Sequence, residues 1–164
     1  VVSVVLVPIL MAMLRCAMFT VTGRAGTVMV LVARRVVSAV ESTVTVAVSS
    51  LYGSAPLDAD GPDYVNAVVR VRTALSPDAL LAALQAIEQQ AGRERPYRNA
   101  PRTLDLDILL YGEYRVDRDD LQIPHPRMWQ RAFVVLPLAE IAPDLVSPAH
   151  VQAVAGQGLH RLGG

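Results

Sequence analysis

The chain has 164 residues, 52% of them apolar, and its fifteen basic residues balance fifteen acidic ones. That length holds one domain, taken as residues 1–164, around a single sizeable core. A formal net charge of zero excludes a nucleic-acid surface driven by bulk charge, and the apolar content excludes a largely disordered chain. Every basic residue is arginine, so a phosphate site must use guanidinium groups, backbone amides or metal, and a P-loop lysine is ruled out. Cys16 is the only cysteine, which rules out an intrachain disulfide and a multi-cysteine zinc site; it reads as a buried, inert thiol of a cytoplasmic protein.

In chain order, Val1 to Leu14 is nearly all apolar, but Arg15 ends the run short of the ~20 residues that a spanning helix needs. No basic segment precedes it, as a signal peptide would require, so it reads as a buried strand or helix of the core and not as a membrane segment. Thr43 to Leu51, rich in Val, Thr and Ser, predicts a strand. A polar loop at Asp58 to Asp63 separates it from a second strand at Asn66 to Leu75, where Ala67, Val69 and Val71 alternate with Asn66, Arg70 and Arg72. Ser76-Pro77-Asp78 marks a helix start: Ser76 can cap, Pro77 suits the first helical position, and Asp78 complements the dipole. Leu80, Leu81, Leu84 and Ile87 then form a helical stripe that Gly92 can close. Leu104 to Tyr111 predicts a strand ending at Gly112, and Pro124 to Leu145 reads as mostly helical, broken by Pro126 and Pro137. The last twenty or so residues carry little signal. Strands alternating with helices in one domain predict an α/β or α+β sandwich.

The chemistry concentrates at Arg102-Thr103-Leu104-Asp105-Leu106-Asp107. Side chains alternate along a strand, so Asp105 and Asp107 share a face about 6–7 Å apart, while Leu104, Leu106, Ile108 and Leu110 enter the core. Two neighbouring carboxylates repel unless something positive lies between them, and hard oxygen ligands at this spacing suit Mg²⁺. Alone, such a pair reads equally well as the solvated face of an edge strand. Arg93, Arg95, Arg98 and Arg102 directly precede it, and guanidinium forks bind phosphate oxygens bidentately. Metal carboxylates beside several arginines are what phosphoryl transfer needs.

The run Gly92-Arg93-Glu94-Arg95-Pro96-Tyr97-Arg98-Asn99-Ala100-Pro101-Arg102-Thr103-Leu104-Asp105-Leu106-Asp107 resembles the signature of the 6-hydroxymethyl-7,8-dihydropterin pyrophosphokinases. Ser49-Ser50-Leu51-Tyr52, Pro62-Asp63-Tyr64-Val65-Asn66, Ile123-Pro124-His125-Pro126-Arg127-Met128, Arg131-Ala132-Phe133 and Pro137-Leu138-Ala139-Glu140-Ile141-Ala142-Pro143 stand around it in the family's order, covering about residues 43 to 148. The resemblance implies a ferredoxin-like α+β sandwich that moves pyrophosphate from ATP to the pterin alcohol and releases AMP, acting as a monomer without nucleic acid or membrane. It implies that Asp105 and Asp107 hold two Mg²⁺ ions, with Asp107 also catalytic. It places Gln85, Glu88, Ile108, His125 and Arg131 on the nucleotide, and Arg93, Arg95 and Arg102 on the phosphates together with Arg131. It places Ser54, Pro56, Leu57, Tyr64, Asn66 and Phe133 around the pterin, where Asn66 offers donor and acceptor and Phe133 a stacking face.

The chain departs from the family at its start. The Gly-Ser/Ala-Asn-Leu-Gly motif that follows the family's first strand is missing, and Val7-Pro8-Ile9 is what Gly-Ala-Asn codons give when read one base later. The expectation is a frame-displaced segment over residues 1–42, with loss of the central strand and of part of the pterin pocket. A non-catalytic relative that binds ATP only is the alternative this raises.

Overall fold

The computed structural model describes residues 2–11, 43–55, 64–90 and 104–162. Val2–Met11 (β1) is a strand with partners on both edges. On one edge it pairs with Asp105–Tyr111 (β6); on the other it pairs with Tyr64–Asn66 (β4) and Val69–Thr73 (β5), all antiparallel. Beyond these lie Thr43–Val48 (β2), paired with β5, and Tyr52–Ser54 (β3), paired with β4. Leu159–Arg161 (β9) closes on β3, so seven of the described strands form one sheet. Val116–Asp117 (β7) and Gln122–Ile123 (β8) make a separate hairpin. The expected loss of the central strand is therefore corrected: β1 occupies the centre, because pairing on both edges needs only an extended backbone and a continuous apolar run is typical of inner strands.

β4 and β5 keep a single register against β1, with Asn66 opposite Ile9 and Val69 opposite Leu6. The predicted second strand is thus continuous in register and interrupted only at Ala67 and Val68. Val68 directs both backbone groups away from β1: its N–H donates to Ser49 Oγ at 2.9 Å, and its C=O accepts from Ser49 N–H at 2.9 Å. Alternation then turns the groups of Ala67 toward Pro8, which has no N–H to give. Pro8→Ala supplies that donor next to a fully buried residue, and stabilisation by about 1 kcal/mol in urea unfolding is expected.

The sheet is covered on both faces. Pro77–Gln90 (α1) lays Leu80 and Leu84 on one face, against Val69, Val71, Leu104, Leu106, Ile108 and Tyr111. Its start is as predicted, with Ser76 Oγ accepting from Ala79 N–H at 3.2 Å, and Asp78 pairs with Arg118. Ala132–Ile141 (α2) lays Val134 and Leu138 on the opposite face, against Val68, Leu109 and Met128. Helices on two faces of a mostly antiparallel sheet bear out the expected α+β sandwich.

Three sequence expectations need correction. Leu110 does not share a face with Leu104, Leu106 and Ile108; it packs beside Leu109 on the α2 side. The cause is a β-bulge: the β1–β6 register shifts between Val5 and Leu6, so Leu109 is an extra residue. Between Pro124 and Arg127 the chain is not helical, a short 3₁₀ turn follows at Met128–Gln130, and Pro137 lies inside α2 without ending it. A proline inside a helix forfeits one hydrogen bond, and here the buried apolar packing of Val134, Val135 and Leu138 outweighs it.

The C-terminal segment, which carried little signal, forms Pro148–Val154 (α3) as well as β9. Its cap uses histidine where glutamate or glutamine is usual: Ser147 Oγ accepts from His150 N–H, and His150 Nδ1 accepts from Ser147 N–H, both at 3.3 Å. The His150 ring also stacks on Trp129 at 3.9 Å. At β9 the His160 ring lies where a side chain on Gly53 would go, so a larger residue there would displace the ring.

Glu140 of α2 ties these parts together. Its carboxylate accepts from Ser50 N–H at 2.9 Å, Ser50 Oγ at 2.6 Å and Tyr52 OH at 3.3 Å, and pairs with Arg161 of β9 at 3.2 Å. Burial alone would raise this carboxyl, but the Ser50 bonds, Arg161 and Tyr52 together hold it below its ordinary value. A depressed carboxyl contributes stability above its unfolded value and loses it as pH falls through the folded one. Glu140→Gln is therefore expected to flatten the fall of the urea midpoint at acid pH below the ordinary carboxylate range, while lowering the midpoint at pH 7.

Candidate active site

The two β6 carboxylates set the site. Leu104, Leu106 and Ile108 are buried on the α1 side, so alternation turns Asp105 and Asp107, both half-buried, to the α2 side. Two groups approach them there. His125 lies in the loop after β8 and is held by the bulge, whose Leu109 C=O accepts from His125 N–H at 2.9 Å. Its Nδ1 accepts from Arg127 N–H at 3.2 Å, so the neutral ring carries its proton on Nε2. Burial pushes the His125 imidazole below its ordinary value, Asp107 pulls it back up, and Arg131 and Arg127 push it further down. Arg131 precedes α2 in an extended conformation and is half-buried. Burial and Arg127 lower its guanidinium, opposed by Asp107 and Asp105, and it stays charged.

Arg131 is fastened on both sides, which the sequence did not suggest. Gln157 accepts from Ala132 N–H and donates to Gln130 C=O, each at 2.8 Å, so one side chain brackets the backbone around Arg131. The Arg131 guanidinium lies 5.4 Å from the Phe133 ring centroid, a cation–π contact that joins a phosphate-type group to a stacking face. Asn66 is buried; its amide donates to Ser54 Oγ at 3.0 Å and lies 3.4 Å from Tyr52 C=O. Ser54 and Tyr64 flank it in the β3–β4 ladder, opposite each other.

Beside His125 opens a cavity of about 340 Å³, lined by Arg115, Asp117 and Gln122 and by the apolar Val116, Ile123, Pro124 and Pro126. Of these, the sequence singled out Ile123, Pro124 and Pro126 as part of the motif at residues 123–128, but not Arg115, Val116, Asp117 or Gln122. Of the other expected nucleotide residues, Gln85 is exposed on α1, whereas Glu88 and Ile108 are buried at 3% and 4% exposure. Arg93, Arg95, Arg102, Pro56 and Leu57 lie outside the described residues. Among the described residues no three His, Cys, Asp or Glu groups converge as a metal cage. The Asp105–Asp107 pair is a two-carboxylate, hard-oxygen donor set, which fits Mg²⁺ completing its shell with phosphate and water. No helix among the described residues is long and apolar enough to cross a membrane.

The model of the 7,8-dihydro-6-hydroxymethylpterin-pyrophosphokinase family matches residues 26–143. The chain belongs to this family. The match begins earlier than the motifs read by eye, which started at about residue 43. A Haemophilus influenzae protein named 2-amino-4-hydroxy-6-hydroxymethyldihydropteridine pyrophosphokinase is 51% identical over 117 residues, covering 71% of this chain and 73% of the relative. A Pseudomonas aeruginosa protein of the same name is 57% identical over 104 residues, 63% of this chain and 64% of the relative. The mitochondrial folate synthesis bifunctional protein of Arabidopsis thaliana is 44% identical over 126 residues, 71% of this chain but 23% of that longer protein. Asp105, Asp107, His125 and Arg131 all fall inside the family match.

Proposed function

We propose that this chain transfers the pyrophosphoryl group of ATP to 6-hydroxymethyl-7,8-dihydropterin, releasing AMP, as a step of folate biosynthesis. The carrying observation is the Asp105–Asp107 pair on one face of β6 with His125 and Arg131 beside it, in a chain of the pyrophosphokinase family. The retained pair, and not nucleotide contacts alone, favours catalysis over an ATP-binding relative.

Asp105 and Asp107 would hold the metal ions, two Mg²⁺. When bound, Mg²⁺ neutralises phosphate charge and steadies the oxygens that gain it during transfer. The hydroxymethyl oxygen attacks the β-phosphorus in line, the bond to the α-phosphate oxygen breaks, AMP leaves with that oxygen, and the alcohol proton passes to solvent. Arg131 draws the phosphate oxygens with a fork that never loses its charge, joined by Arg93, Arg95 and Arg102. His125, held neutral by its surroundings, donates from Nε2 to the nucleotide, and Gln85 bonds it from α1. The cavity beside His125 has the size and apolar walls for a purine. Asn66 and Phe133 take the edge and face of the pterin, with Ser54, Pro56, Leu57 and Tyr64 completing the pocket. Purified protein, ATP, Mg²⁺ and the pterin alcohol should yield AMP at a rate that depends on the pterin; a folded sample that makes none would overturn the proposal.

A further inference from the structure

Glu88 is an acidic residue in the wrong place for a solvent-facing helix position. It projects from α1 into the α1–β6 interface at 3% exposure, and its Oε1 accepts from Leu106 N–H at 2.7 Å. That amide sits between Asp105 and Asp107. The β1–β6 register shows why it needs an acceptor: alternate residues of β6 bond inward to β1, and Leu106, opposite Pro8, points its N–H to the outer edge. No strand pairs with that edge among the described residues. An unmatched edge amide leaves a strand free to twist or shift, and a shift of about 1 Å at a reacting centre can cost about 10²-fold in rate.

We propose that Glu88 is a positioning residue for the Asp105–Asp107 pair, acting through the Leu106 peptide and not by contact with the nucleotide. This rests on the reading of that pair as the metal-holding groups. At 2.7 Å the Leu106 N–H···Oε1 bond is short, and it depends on an acceptor oxygen at this reach. It fixes the peptide plane at Leu106, whose side chain is locked in the α1 core at 6% exposure. With that plane fixed, the Cα–Cβ directions of Asp105 and Asp107 are set together, on the opposite face. Satisfying the buried Leu106 N–H accounts for an acceptor here; positioning adds the joint setting of the two carboxylates.

Three variants separate the possibilities. Glu88→Gln keeps an acceptor at the same reach, Glu88→Leu removes it at similar volume, and Glu88→Asp keeps the carboxyl but withdraws it. For ¹⁵N-labelled protein, Leu106 amide exchange should quicken at least tenfold in Glu88→Leu and Glu88→Asp and change little in Glu88→Gln. Mn²⁺ binding to protein with a non-hydrolysable ATP analogue, followed by electron paramagnetic resonance, should weaken about tenfold in the same two variants. In turnover, kcat should fall about 10²-fold in those two with KM for ATP within about threefold of the parent. Glu88→Gln should restore both parameters. A parent protein that makes no AMP would defeat the proposed function, while the exchange and Mn²⁺ measurements would still decide the role of Glu88. The proposal is overturned if Glu88→Gln weakens the analogue as much as Glu88→Leu, which indicates nucleotide contact. It is equally overturned if Leu106 exchange quickens while Mn²⁺ affinity holds, which indicates a fastener only. Should Glu88→Leu fail to fold, Glu88→Asp against Glu88→Gln gives the same decision.

Discussion

Asp107→Asn is expected to abolish pterin-dependent AMP formation, lowering kcat on the order of 10³-fold or more while leaving the fold intact. The substitution keeps size but replaces one acceptor oxygen by an amide donor and removes one negative charge from a pair whose work is to hold divalent cations. Metal-ion stabilisation of a phosphoryl transition state is worth several kcal/mol, and each 1.36 kcal/mol is tenfold in rate. The backbone role of Asp107, paired with Val7 in the sheet, is untouched, so the urea midpoint should move little. Loss of the Asp107 charge also removes the influence that pulls His125 upward, so its imidazole should titrate lower still, a shift that proton NMR of the ring can read. Residual activity within tenfold of the parent would show that the pair is not the metal site.

Leu109→Ala should cost about 2–4 kcal/mol of stability, a large share of the 5–15 kcal/mol typical of a domain. Leu109 is 1% exposed and packs with Val68, Met128, Val134 and Leu138, so truncation leaves a cavity between sheet and helix. Its contribution to the site is made by a different atom. The bulge carbonyl that holds His125 N–H belongs to the backbone and survives the substitution. Denaturant unfolding should therefore show a sharply lowered midpoint, while AMP formation per folded molecule at low temperature stays near the parent value. A matched loss of turnover in folded protein would show that the Leu109 side chain, too, positions His125.

What could be read from sequence follows the reach of each interaction. Asp105 and Asp107 share a face because alternation is a local property, and Ser76 caps α1 because its bond spans three residues. Leu110 was misplaced because a bulge with no glycine or proline to mark it leaves no trace in composition. The α3 cap went unseen because His150 stands where Glu or Gln makes the recognisable pattern. Glu88 was read as a nucleotide residue and Gln157 not at all, for a common reason: each binds backbone of a distant segment, and the identity of a backbone partner is not written in any residue. The apolar run at the start was legible as a strand or helix but not as the sheet's centre, since the missing family motif argued for loss of that strand while pairing needs only an extended backbone. Of the arginine-rich segment, Arg93, Arg95, Arg98 and Arg102 lie outside the described residues.

The central place of β1 sets the order of events in folding. Val4 pairs with both Val71 and Tyr111, so the strand that joins β4, β5 and β6 must wait for partners made much later. Until β6 emerges from the ribosome, an apolar segment at the front of the chain stays without its full set of neighbours. Long-range antiparallel pairing of this kind slows folding and lengthens exposure to self-association. Production of this protein should accordingly respond to chaperones and to growth temperature more than its net stability alone would suggest.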